Sequence, residues 1–161
     1  MAVDMFIKIG NIEGESKDDK HAKEIDVLAW SWGLSQSGNA HLGTGAGAGK
    51  VSVQDISITK YVDKSTTPLI LAASKGTHYD KAVLTVRKAG DSPLEYLKIT
   101  LEDLIVSSLS TGGSGGEDRL TENVSLNFAK FKVEYTEQDA KGAAGKTSTA
   151  AWDIPSNKAI G

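Results

Sequence analysis

The stretch whose chemistry is most easily named is Ala140-Lys141-Gly142-Ala143-Ala144-Gly145-Lys146-Thr147. With Ala140 in place of the first glycine it fits the loose form of a phosphate-binding loop. In such a loop backbone N–H groups surround the phosphate, the lysine reaches its oxygens and the hydroxyl holds magnesium. That chemistry needs a strand before the loop, a helix after it and a parallel sheet around it. A strand does precede it, but after Pro155 only six residues remain, too few for a helix and a return strand. A flexible surface loop is the reading. A second Gly-Lys stretch, residues 43–51, has Thr44 where the first glycine belongs and Val51 where the hydroxyl belongs, and fails twice. The histidines His21, His41 and His78 lie in or beside expected turns, far apart in the chain. Metal sites commonly draw ligands from close spacing on one element, so these are read as isolated surface residues. No Gly-x-Ser-x-Gly elbow follows a strand and opens a helix. The carboxylates Asp55, Glu102, Asp103, Glu117 and Asp118 are scattered or adjacent. Neighbours on a strand point to opposite faces, so Glu102 and Asp103 are not expected to serve one bond together. Asn123-Val124-Ser125 is a glycosylation sequon by letters only.

No catalytic constellation survives, so the informative features are the elements themselves. Most apolar residues alternate with period two, the mark of half-buried strands. The first run is residues 5–9. The second, residues 24–35, places Leu28, Trp30, Trp32 and Leu34 on one face and Val27, Ala29, Ser31 and Gly33 on the other. The bulky face is expected in the core. The small face is expected against something close, or lining an open space. In residues 51–61 the apolar phase flips between Val53 and Ile56, which suggests a β-bulge near Gln54 and Asp55. Further strands are expected at 81–88, 94–109 and 120–135. The last carries Leu126 and Phe128 in one phase as core residues, then Phe131 and Val133 in the other. Strands this long with phase changes suit a strongly curved sheet or a barrel. One short helix is expected after Thr66 or Thr67, with Pro68 in its first turn and Gly76 ending it.

The chain of 161 residues reads as one domain, with an extended loop at 35–50 and a variable linker at 139–150 before a short final strand. The loop holds five glycines between Gly38 and Gly49 and has no local core to pack on. Loops of that length in compact domains are usually functional or disordered. Gln36, His41, Leu42 and Lys50 mark this loop. A net charge of −3 argues against nucleic acid as the main partner. The absence of cysteine removes disulfide scaffolds and thiol chemistry. No apolar run approaches the ~20 residues of a membrane helix, so no membrane insertion is expected. Asp4 and Lys8 interrupt any secretory h-region, so folding in the cytoplasm without a cleaved leader is expected.

These segments together resemble the haemolysin-coregulated protein family, the tube subunits of bacterial type VI secretion. The matching pieces are MAVDMFIKIGNIEGES, EIDVLAWSWGLSQS, GKVSVQDISITKYVDKST, HYDKAVLTVRKAG, STGGSGGEDRLTENVSLNF and WDIPSNKAI. The resemblance implies a mainly β fold, a two-sheet barrel or sandwich with one short helix. It implies homohexameric rings that stack into a tube, and no enzymatic activity or cofactor. It implies a contractile sheath outside, a trimeric spike at the tip and small effector toxins within, with release from the cell when the sheath contracts. On that picture Val27, Ala29, Ser31 and Gly33 would line the lumen, with Ser31 a cargo contact. The loop marked by Gln36, His41, Leu42 and Lys50 would reach a neighbouring subunit or the next ring. Rival readings are a phage tail-tube protein, a free-standing ligand-binding barrel, and an enzyme using the 140–147 loop.

Overall fold

The two long apolar runs become two long strands, and their length decides the shape. The computed structural model describes residues 3–37, 50–90 and 93–160. In chain order the elements are β1 (Val3–Ile9), β2 (Ile25–Asp26), β3 (Ala29–Ser31), β4 (Leu34–Ser35), β5 (Ser52–Val53), β6 (Ile56–Tyr61), α1 (Thr66–Lys75), β7 (His78–Lys88), β8 (Glu95–Thr111), β9 (Thr121–Gln138), β10 (Ala144–Asp153) and β11 (Lys158–Ala159). β8 and β9 run 17 and 18 residues, about three times the usual strand of roughly 5–6. A straight strand keeps one phase buried throughout; neither of these does. On β9, Glu122, Val124, Leu126 and Phe128 are buried, and then Phe131 takes over. On β8 the buried phase passes from Ile99 and Leu101 to Leu104 and Val106.

The β8 slip has a local cause. Asp103 sits at φ +53°, a left-handed conformation that Asp tolerates better than most residues. Glu102 and Asp103 therefore both face outward, which corrects the expectation that they point to opposite faces. A second slip follows where Val106 pairs with Leu126 but Ser108 pairs with Ser125. Ser107 is the extra residue of a β-bulge, and its hydroxyl donates to Asp55 at 2.6 Å. Asn127 on β9 donates to the same carboxylate at 2.8 Å. Asp55 lies in the gap between β5 and β6, so the phase flip seen in the sequence there is a break between two strands. Each slip adds local twist, and the sheet curls around one core drawn from β1, β2, β6, α1, β7, β8 and β9.

The sheet order is β11-β10-β9-β8-β7-β1-β2, with β6 on the free side of the first half of β9 and β3 beyond β6. β9 thus serves β6 with residues 121–126 and β10 with residues 130–138. The segment 25–31 joins the two remaining edges: Val27 N–H donates to Met5 O, and the next residue, Leu28, donates to Thr59 O. A corner, not a ladder, brings the edge of β1 to the edge of β6. β4 and β5 form a separate two-stranded ribbon at the base of the long loop.

α1 packs on β8, with Leu69 and Ala72 buried. Its C-terminus is as the sequence suggests: Gly76 at φ +65° donates its N–H to Ala72 O. Its N-terminus differs. Ser65 holds the cap position without a side-chain cap bond, and the Thr66 hydroxyl turns into the interior. The stretch read as a linker before a short final strand is mostly strand as well, since β10 begins at Ala144 and not near Trp152.

Candidate functional site

β10 presents a sheet edge. It pairs with β9 from Ala144 to Asp153, with a register break between Ala144 and Thr147, but among the described residues its other side meets only β11, at Trp152 and Asp153. Two hydrogen bonds fix which groups face where. Ile160 N–H donates to Ala151 O on the β11 side, and Ile154 N–H donates to Ala129 O on the β9 side. Backbone N–H and C=O of one residue in an antiparallel strand point the same way. By alternation Ala150 and Ser148 serve β9, while Thr149 and Thr147 direct both backbone groups outward with no strand beside them. From Ala144 to Ala151 the only charge is Lys146, and there is no proline. A long edge with a single charge and no proline is a template for pairing with another chain.

The turn that starts β10 also disposes of the phosphate-loop reading. Asp139 Oδ1 accepts from Lys141 N and Ala143 N, and Asp139 N–H donates to Ala143 O, closing a tight hairpin. A strand, not a helix, follows, so no helix N-terminus faces the glycines.

The face expected to be small and smooth is split by the corner at Leu28. Val27 is 6% exposed and belongs to the core, whereas Leu28, expected in the core, is 39% exposed. The reason is that 24–35 is not one strand: it leaves β1 at Val27 and joins β6 from Leu28 onward, resetting the phase. Beyond the corner Ala29 and Ser31 are exposed and Gly33 is half-buried. Trp30 and Trp32 are half-buried against the core, Trp32 lying edge-on to Phe131 at 4.9 Å and donating to Gln54 O at 2.9 Å. Leu126 and Phe128 are buried. Gln36 and Lys50 are exposed; His41 and Leu42 lie outside the described residues. Between the β4–β5 ribbon and β10 runs an apolar groove of about 380 Å³ lined by Leu34, Gln36, Val51, Phe131, Ala150, Ala151 and Trp152. The Trp152 indole N–H is buried there with no partner among the described residues.

Two charged clusters escaped the sequence reading. In the first, Lys60 and Glu122 are fully buried and 2.5 Å apart. Lys60 Nζ also donates to Tyr61 O at 2.8 Å and lies 3.1 Å from Asp63. The Thr66 hydroxyl donates to Glu122 at 2.8 Å, tying the start of α1 to β9. In the second, His21 is 8% exposed, stacked on Phe6 at 4.6 Å, and so is not the isolated surface residue expected. Its ring nitrogens meet Glu24 at 2.9 Å and Glu95 at 2.6 Å. Burial alone lowers its pKa, but the two carboxylates together outweigh burial and hold it above 6.5. Beside it Arg87 donates to Asp18 and Asp4. The guanidinium holds the Asp18 carboxyl below its usual range. The phase of the apolar alternation could have flagged Lys60 and Glu122; nothing comparable flags His21.

No helix among the described residues is long and apolar enough to cross a membrane. Residues 6–135 match the family model described as "Type VI secretion system effector, Hcp". The chain is 64% identical over 159 residues to protein hcp1 of Pseudomonas aeruginosa, covering 98% of each. It matches the crystal structure of Hcp1 from Salmonella typhimurium at a TM-score of 0.82 and 43% identity, over 99% of this chain and all of that one. A solved type six secretion system protein gives a TM-score of 0.92 at 30% identity, again over 99% of this chain and 100% of the other.

Proposed function

Because this chain belongs to the Hcp family of type VI secretion system proteins, we propose that it is a structural subunit of the secretion tube, without catalytic activity of its own. Subunits close into hexameric rings, rings stack into a tube, and the tube leaves the cell when a contractile sheath drives it behind a trimeric spike. The observation that carries the assembly is the β10 edge, where Thr147 and Thr149 hold backbone donors and acceptors out toward a missing strand. A ring supplies that strand from the next copy all the way round, so that no edge is left to aggregate.

Ala29, Ser31 and Gly33 form the lumen wall in this reading, and Ser31 contacts small effector cargo. Val27 drops out of that set because its side chain is committed to the core. The 35–50 loop makes the ring-to-ring contact. Substituting His41 or Leu42 with alanine should leave hexamers intact and stop tube growth, read by negative-stain imaging; loss of the hexamer would move the loop to the within-ring interface. The function itself is tested in culture medium. The chain should appear there from cells with an intact sheath and be absent when the sheath gene is deleted. Equal amounts in both media would overturn the secretion reading.

A further inference from the structure

The segment 10–24 between β1 and β2 makes no long ladder. Backbone bonds fold it on itself: Gly14 N–H to Lys23 O at 2.7 Å, Lys23 N–H to Ser16 O at 2.9 Å and Ser16 N–H to Glu24 O at 3.0 Å. Gly14 lies so close to the opposite limb that an added Cβ would stand 2.4 Å from Glu24 O. Ile12 anchors the segment in the core and Gly10 N–H donates to Lys81 O; charge adds further ties to the strands. Asp18 takes the Arg87 guanidinium of β7. His21 reaches in the same region from the segment to Glu95, at the start of β8, while its other nitrogen holds Glu24.

We propose that His21 is a proton-operated latch: its charged ring ties the 10–24 segment to the start of β8, and loss of one proton weakens that tie. The geometry demands both ring N–H groups. A neutral imidazole has one donor and one acceptor, so one of the two carboxylates would then face a lone pair. Among the described residues the charged groups on the ring are Glu24 of its own segment and Glu95 of β8, both acidic. Asp18 of the same segment accepts from the His21 backbone N–H, and Asp4 of β1 pairs with Arg87. The opposing cation, Arg87 of β7, is bonded to Asp18 and Asp4 and lies 5.0 Å from the Phe6 ring centroid. The acidic majority favours the imidazolium over the neutral ring. The folded pKa lies above the ordinary 6.5, so the latch contributes fully below about pH 6.5 and is lost as pH rises through the folded value. Acidification therefore tightens this subunit, the reverse of the usual acid loosening by histidine. The inference does not depend on the ring or tube reading.

The test follows two signals on the whole protein as pH rises from about 6 to 9. One is the His21 imidazole resonance. The other is hydrogen-exchange protection of the Gly14, Ser16 and Lys23 amides, corrected for intrinsic exchange. The His21 midpoint should lie above 6.5. Protection should fall about tenfold for each pH unit separating the ordinary and folded pKa values, while amides of β8 and β9 hold theirs. Glu95 is 38% exposed at its side chain, so Glu95→Gln should fold, and it should lower the His21 midpoint and flatten the fall. His21→Gln should abolish the fall. A midpoint at or below 6.5, or the same fall in Glu95→Gln as in the parent, would overturn the latch.

Discussion

Replacing Thr149 with proline is expected to abolish ring assembly while leaving the subunit folded. Proline removes a backbone N–H, and within a sheet it is tolerated where that N–H faces away from the ladder. Thr149 meets that condition, because alternation from Ala151 turns its N–H outward while its pairing to Glu134 involves no exchanged bond. The ring closure fixes φ near −65°, a modest distortion at an edge. Ser148 is the matched control. It exchanges bonds with Tyr135, so Ser148→Pro removes a ladder bond and leaves a carbonyl unmatched, costing about 1–3 kcal/mol of subunit stability. The pair separates two causes of lost assembly. Thr149→Pro should elute as a folded monomer with a cooperative melt; Ser148→Pro added to it should melt lower still. If Thr149→Pro still forms rings, β10 is not the seam between subunits.

The second large effect is on the fold. Lys60→Met is expected to destabilise the subunit by about 3–5 kcal/mol, since it leaves the Glu122 carboxylate buried and uncompensated. For a chain of this size that is a fall in Tm on the order of 10 °C. The loss reflects the orphaned charge more than the value of the pair, so the double variant Lys60→Met with Glu122→Leu should recover most of it. The cycle is read by thermal melting of the monomeric Thr149→Pro background, where assembly does not mask subunit stability. Additive losses in the double variant would mean that the two side chains do not act as a pair.

Lys60 also shows what the sequence discloses and what it hides. The alternation that puts Ile56 and Ile58 inward puts Lys60 inward with them. The alternation through Val124, Leu126 and Phe128 does the same for Glu122. Two opposite charges, each in the buried phase of its own strand, are a readable signal once the strands are drawn. The long strands β7, β8 and β9, the helix and its glycine stop are legible for the same reason: period-two alternation and capping chemistry are local. What was hidden is what depends on a partner. The run 24–35 alternates cleanly as letters, yet the chain changes partners at Leu28, and the phase of everything after it is set by β6. That is why Val27 and Leu28 exchange places. Most of β10 reads as a linker in the sequence because alanine, glycine, serine and threonine carry little alternation of their own; pairing to β9 makes it a strand. His21 could not be found from spacing, because Glu95 reaches it from 74 residues away.

The proposed function requires that this chain work as a ring. Native mass spectrometry of the purified protein, with negative-stain images of the same sample, tests it most directly. A dominant species of six chains, seen as rings with an open centre, is expected. A monomer at micromolar concentration with no rings would contradict it.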